Sequence, residues 1–176
     1  MMCLERGGEY ELHGVQVGVG MLLTLRLAEW LRAEEPDIAR AGAAADRFDA
    51  AAWERNLRRV FPRTADDLLD MEQRAKKNER AGRLRRAARA IECWDEILAV
   101  LAALPNYAET EAMMRSLGMP TTPEELGLSV TDAVDAFVCS RDIRDKYLLS
   151  SLIWDLGYME DFAARLRLEL SGAAES

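Results

Sequence analysis

The chain has 176 residues, 49% hydrophobic and 31% charged, enough for one domain that buries about two thirds of its unfolded surface and too apolar for a disordered polymer. A net charge of -8 and an isoelectric point near 4.8 argue against a nucleic-acid binder, which needs a basic face to neutralise phosphates. Cys3, Cys93 and Cys139 are odd in number and widely spaced, a pattern that fits a reducing compartment and neither a disulfide scaffold nor a zinc ribbon.

Along the chain, the first dozen residues carry Glu5, Glu9 and Glu11 where a secretory signal would be cationic. The apolar run that follows, Gly14 to Leu25, is too short for a membrane span and is broken by Arg26. A cytoplasmic protein without a membrane span is the expectation. Strand-like alternation is nearly absent, and Ala, Leu, Arg and Glu dominate, so the predicted class is all-α, a multi-helix bundle. The periodicity places helices near 12–33, 49–61, 64–79, 83–104, 107–117, 130–140, 145–156 and 158–171. The clearest is 83–104, where Leu84, Ala87, Ala88, Ile91, Trp94, Leu98 and Leu101 form one stripe that Pro105 ends.

Start signals agree with these spans. Thr64 with Asp67, Asn106 with Glu109, Thr122 with Glu125 and Ser129 with Asp132 have the spacing of capping boxes, in which side chains satisfy free amides at a helix start. Asp49 lies between Phe48 and Trp53 at the spacing of a hydrophobic staple, and Gly118 and Gly157 suit left-handed C-terminal caps. Short connections imply antiparallel neighbours. The stretch AGAAA at 41–45 reads as a mobile loop or a poorly packed helix end.

The chemistry-bearing residues are few. His13 is the sole histidine, so a Ser-His-Asp or Cys-His catalytic set is hard to build, and no second His or Cys stands three or four residues away to complete a metal pair on a helix. Gly14, Gly18 and Gly20 follow it closely. Glycine inside a helix costs roughly 0.5 to 1 kcal/mol relative to alanine, so the group needs a reason: close helix packing, or a ligand lying against the helix start beside His13. A dinucleotide fingerprint is excluded, because the spacing is not G-x-G-x-x-G and no strand precedes it. The basic run Arg74 to Arg89 reads as a solvated helix face balanced by the acidic segment Asp66 to Glu72, and Arg141, Arg144 and Lys146 as a charge cluster at a helix end or an anion contact.

The stretch YELHGVQVGVGMLLTLRLAEWL resembles a segment of sn-glycerol-1-phosphate dehydrogenases, a branch of the iron-containing alcohol dehydrogenase and glycerol dehydrogenase superfamily, in which a His-Gly-x-x-Val-Gly helix supplies a metal ligand. Two later blocks are similar to the same branch: the helix with Trp94 ahead of LPNY, and LGMPTTPEELGLSVTDAVDAFVCSRDIRDKYLLSSLIWDLG, with its Gly-x-Pro-x-x-Pro-x-Glu-Leu-Gly and Ile-Arg-x-x-Tyr elements. The blocks occur in the family's order over nearly the whole chain.

The resemblance implies that residues 1–176 form one helical domain, the C-terminal domain of the dehydroquinate synthase-like fold, and that the family's N-terminal NAD(P)-binding domain would precede Met1. The opening MMCLERGG resembles the middle of a family helix and loop, so the expected start is a truncation. His13 would be the last of three protein ligands to a catalytic divalent metal, usually zinc in this branch, with the other two on the absent domain. Implied with it are an NAD or NADP cofactor held by that domain, a small phosphorylated polyol substrate interconverting between glycerol phosphate and dihydroxyacetone phosphate, and a possible homo-oligomer. The chain alone would be inactive. Val15 stands where many members carry an acidic residue. Two rivals stay open: a dehydrogenase for unphosphorylated glycerol or another polyol, and a stand-alone acidic helical module that binds a protein partner.

Overall fold

The computed structural model describes residues 13–173. All regular structure among them is helical, as the composition implies. In chain order the α-helices are α1 (His13–Arg32), α2 (Ile38–Asp46), α3 (Ala50–Val60), α4 (Ala65–Ala75), α5 (Arg80–Glu92), α6 (Trp94–Ala102), α7 (Tyr107–Ser116), α8 (Val130–Cys139), α9 (Leu149–Asp155) and α10 (Met159–Ala173), with one 3-10 turn at Glu124–Leu126. Among the described residues, no helix is long and apolar enough to cross a membrane.

Most capping predictions hold. Asp49 accepts from the amides of Ala51 and Ala52 at 2.9 and 3.0 Å, Asn106 accepts from Glu109 at 3.0 Å, and Ser129 with Asp132 closes a full capping box. Phe48 and Trp53 meet with ring centroids 6.3 Å apart, as a staple requires. Glu125 gathers the amides of Thr121 and Thr122 at 2.7 and 2.9 Å, and these backbone bonds lower its pKa, but the turn they start is only the short 3-10 segment. Thr64 occupies the N-cap of α4 without a side-chain capping bond. Gly118 and Gly157 take positive φ of 68° and 84°, with the 6→1 bonds Met119 N to Met114 O and Tyr158 N to Ile153 O at 3.0 and 2.9 Å.

Three expectations are corrected. AGAAA is the body of α2, not a loop: Asp37 caps it by accepting from Arg40 N at 2.9 Å, and Ala41 and Ala45 are buried because small side chains let α2 lie close to α5. The span 83–104 is two helices, broken at Cys93, whose N–H tightens onto Arg89 O and Ile91 O. The span 145–156 shrinks to α9, because residues before it turn while Lys77 Nζ donates to Arg141 O and Arg144 O at 2.7 and 3.0 Å.

Helix α9 runs through the centre: Ser150 to Asp155 are all buried, and it touches α1, α5 and α10. Around it Trp30, Leu31, Ile153, Leu156, Phe162 and Leu166 build the main core, with α10 packed along α8. Each fully buried Leu or Phe contributes roughly 1.5 to 3 kcal/mol. A smaller cluster of Leu57, Val60, Phe61, Leu68 and Cys139 joins α3 and α4 to the end of α8. Helix α7 lies antiparallel to α1, since Tyr107 N donates to Glu29 at one end while Met114 reaches Gly18 at the other.

Candidate functional site

Helix α1 persists through three glycines and three valines because its second half, Met21 to Arg32, is rich in good helix formers and because Leu22, Leu25, Trp30 and Leu31 anchor one side in the core. The glycines divide into two kinds. A Cβ on Gly18 would stand 2.9 Å from Met114 Cε and 3.4 Å from Met119 Cε, so this glycine admits α7. Gly14 and Gly20 would meet nothing within 4 Å among the described residues. Among these residues, close packing therefore accounts for Gly18 alone.

His13 is exposed at the first described position of α1. At 100° per residue, His13, Gln16, Gly20 and Leu23 fall on one face. That face opens onto a groove of 230 Å³ bounded by α1, α8 and the turn at 123–128. Val19, Leu23, Phe61, Leu126, Leu128 and Ile143 supply most of its wall. Gln16, Asp132 and Ser140 are its polar members, and among the described residues no lysine or arginine lines it.

The described residues offer one donor for a metal, not a set. No three His, Cys, Asp or Glu side chains among them come together in a way that holds an ion. Cys139 is buried, its sulfur 3.6 Å from Asn56 Nδ2, and burial with the nearby Asp142 and Asp135 charges pushes its thiol up to about 12. Cys93 sits at the α5–α6 junction. Glu9, Glu11 and Cys3 lie outside the described residues. An exposed imidazole fits one ligand position of a zinc site, and the chemistry of the remaining donors must come from elsewhere.

A second polar centre gathers around Asp155 and Trp154, and sequence periodicity misread it. Arg83 and Arg86 belong to the run read as solvated, yet Arg83 is 3% exposed and Arg86 forks onto Asp155, with Nε and Nη2 at 2.7 and 2.9 Å from the carboxylate oxygens. Arg83 donates to Ala44 O and Trp154 O, carbonyls in the last turns of α2 and α9, where the helix dipoles favour a cation. Burial pulls its pKa down to about 10. Arg83 and Arg141 both stack on the Trp154 ring, with guanidinium carbons 3.7 and 3.9 Å from its centroid. Tyr147 is 54% exposed, but its hydroxyl turns inward and donates to Asp155 at 2.9 Å; desolvation of that end, then the adjacent carboxylate, raises its pKa.

This centre explains the charge cluster near residue 141. Arg141 is 4% exposed, donates to Asn78 Oδ1 at 2.9 Å and lies 3.4 Å from Asp142, so it is committed inside the fold. Burial raises the pKa of Asp142 and of Glu72 beside it. Arg144 and Lys146 are exposed, and the structure does not bring them to the α1 groove. The acidic partner of Arg86 comes from α9 rather than from Asp66 to Glu72, and Arg83 is held by carbonyls instead, tertiary pairings that no local pattern signals.

No protein-family model, curated protein or solved structure matches the chain.

Proposed function

We propose that this chain is the metal- and substrate-facing helical domain of an NAD(P)-dependent dehydrogenase of the glycerol-1-phosphate dehydrogenase type. The reading rests on the resemblance of its three sequence blocks. The observation that carries it further is the open face of α1: an exposed His13 next to Gly14, and Gly20 further along the same helix, with none of the described residues packed against either glycine. Two glycines left bare in a helix, at a cost of roughly 0.5 to 1 kcal/mol each, are accounted for if another surface or a ligand comes close there.

On this reading a zinc ion supplies Lewis-acid polarisation of the substrate oxygen when bound, and NAD or NADP is held by a preceding nucleotide-binding domain. His13 contributes one imidazole, and the apolar groove beside it keeps water from one side of the cleft. The phosphate of a glycerol phosphate substrate finds no cation among the described residues of the groove lining, an observation that favours the unphosphorylated-alcohol alternative for this wall. A protein-binding module is the remaining rival, and the exposed Val17 and Met21 of α1, Met113 of α7 and Leu117 at its C-cap would serve it.

Zinc titration of the chain as it stands tests the reading. The expected result is weak binding that His13→Ala removes, since a single imidazole is an incomplete site. Tight, stoichiometric zinc in the isolated monomer contradicts it, as does weak binding that survives the substitution.

A further inference from the structure

We infer that the groove between α1, α8 and the 123–128 turn is a binding site for a small uncharged amphiphile, an alcohol or amide with an apolar body. Its long wall of Val19, Leu23, Phe61, Leu126, Leu128 and Ile143 rewards burial of hydrocarbon. Gly20, Ala133 and Ala136 keep the floor shallow of side chains, so the space persists rather than being filled from within. At about 30 Å³ per water-sized group, 230 Å³ holds a ligand of roughly seven or eight heavy atoms.

The charges decide the class. Among the described residues an anion would meet no lysine or arginine in the lining, and it would face the Asp132 carboxylate. A cation gains little from that carboxylate, because Asp132 already accepts from Ser129 N at 3.1 Å and Ser129 Oγ at 2.7 Å at the start of α8. Ser140 Oγ is held between Phe137 O and Ser150 Oγ at 2.7 and 2.8 Å. The polar end of the ligand is therefore assigned to Gln16, whose carboxamide both donates and accepts, one helical turn from His13.

This site stands on the groove itself and not on the dehydrogenase reading. Where that reading holds, the groove takes the uncharged body of the substrate, and an unphosphorylated alcohol suits this wall better than a phosphorylated polyol.

The test is an NMR titration of the chain with n-butanol, n-pentanol and n-hexanol, with hexanoate and glycerol 3-phosphate as charged counterparts. Each added methylene is expected to tighten binding about fourfold, the factor that burial of one CH₂ supplies. The shifts should map to Val19, Leu23, Leu128 and Ile143, and both anions should bind more weakly than hexanol. Gly20→Leu and Ala136→Leu, which fill the groove from opposite walls, should each weaken hexanol about tenfold or more while helical circular dichroism is retained. His13→Ala should leave hexanol binding unchanged, so failure of the metal reading and failure of this one are read separately. Absence of a chain-length trend, shifts confined to another surface, or anions that bind as well as hexanol overturn the assignment; should either filled variant unfold, the unaltered protein's alcohol and anion series still decides.

Discussion

At the scale of single residues, Cys139 shows how burial fixes reactivity. Its thiol sits in the α3–α4–α8 cluster with its pKa pushed up from 9.0 to about 12. Because the folded value lies above the unfolded one, its contribution to stability is complete below about pH 9 and is lost as pH rises towards 12. Denaturant unfolding at pH 8 and pH 10.5 should therefore show a smaller alkaline loss in Cys139→Ala than in the unaltered protein. At neutral pH a thiol-labelling reagent should modify Cys93, which is only partly buried, well before Cys139 in the native state. Equal labelling rates would show that the cluster opens readily. The same scale separates the glycines of α1. Gly18 answers to two methionine side chains almost a hundred residues away, and nothing local distinguishes it from Gly14 and Gly20.

At the scale of elements, helix ends were legible and helix interruptions were not. Asp49, Asn106 and Ser129 each announce a start through a side chain that reaches its own neighbouring amides, and Gly118 and Gly157 announce stops through a backbone state that favours glycine. Such signals are local, so a sequence carries them. The break at Cys93 has no glycine or proline, and the apolar stripe from Leu84 to Leu101 keeps its period across it, with Leu84, Ile91 and Trp94 still turned to the core. Helix α2 escaped because its alanines lack an apolar signature, although Pro36 and Asp37 mark its start. Gly157 joins two elements and supports a third. A Cβ there would stand 2.9 Å from Ala44 Cβ and 3.1 Å from Arg40 O, in a backbone with φ of 84°. Gly157→Ala is predicted to cost about 2 to 4 kcal/mol, seen as a lower denaturant midpoint with an unchanged slope. A midpoint within error of the unaltered protein would mean that α2 and the α9–α10 turn are not held that close.

At the scale of the whole molecule, a buried α9 organises two kinds of surface. One closes on charge: Arg86 and Tyr147 on Asp155, Arg83 on two helix ends, Arg141 on Trp154. The other, the groove along α1 and α8, stays largely apolar and open. The sequence located His13 and the glycines but left packing and ligand contact as equal readings, because the difference depends on which faces α7 covers. It placed Arg83, Arg86 and Arg141 in solvent or in a surface cluster because periodicity describes a helix face and says nothing of the residue opposite. What the fold adds is a division of labour, with Arg83, Arg86 and Arg141 committed to internal contacts and no cation among the described residues lining the groove. The central claim is that the His13 face of α1 is one wall of a metal-dependent cleft. The most direct measurement is NAD(P)-linked turnover and zinc content in the protein that carries the proposed preceding nucleotide-binding domain, with and without His13→Ala. The account predicts that the substitution removes turnover and stoichiometric zinc while helical content is unchanged; a His13→Ala protein that keeps its zinc and its activity would contradict it.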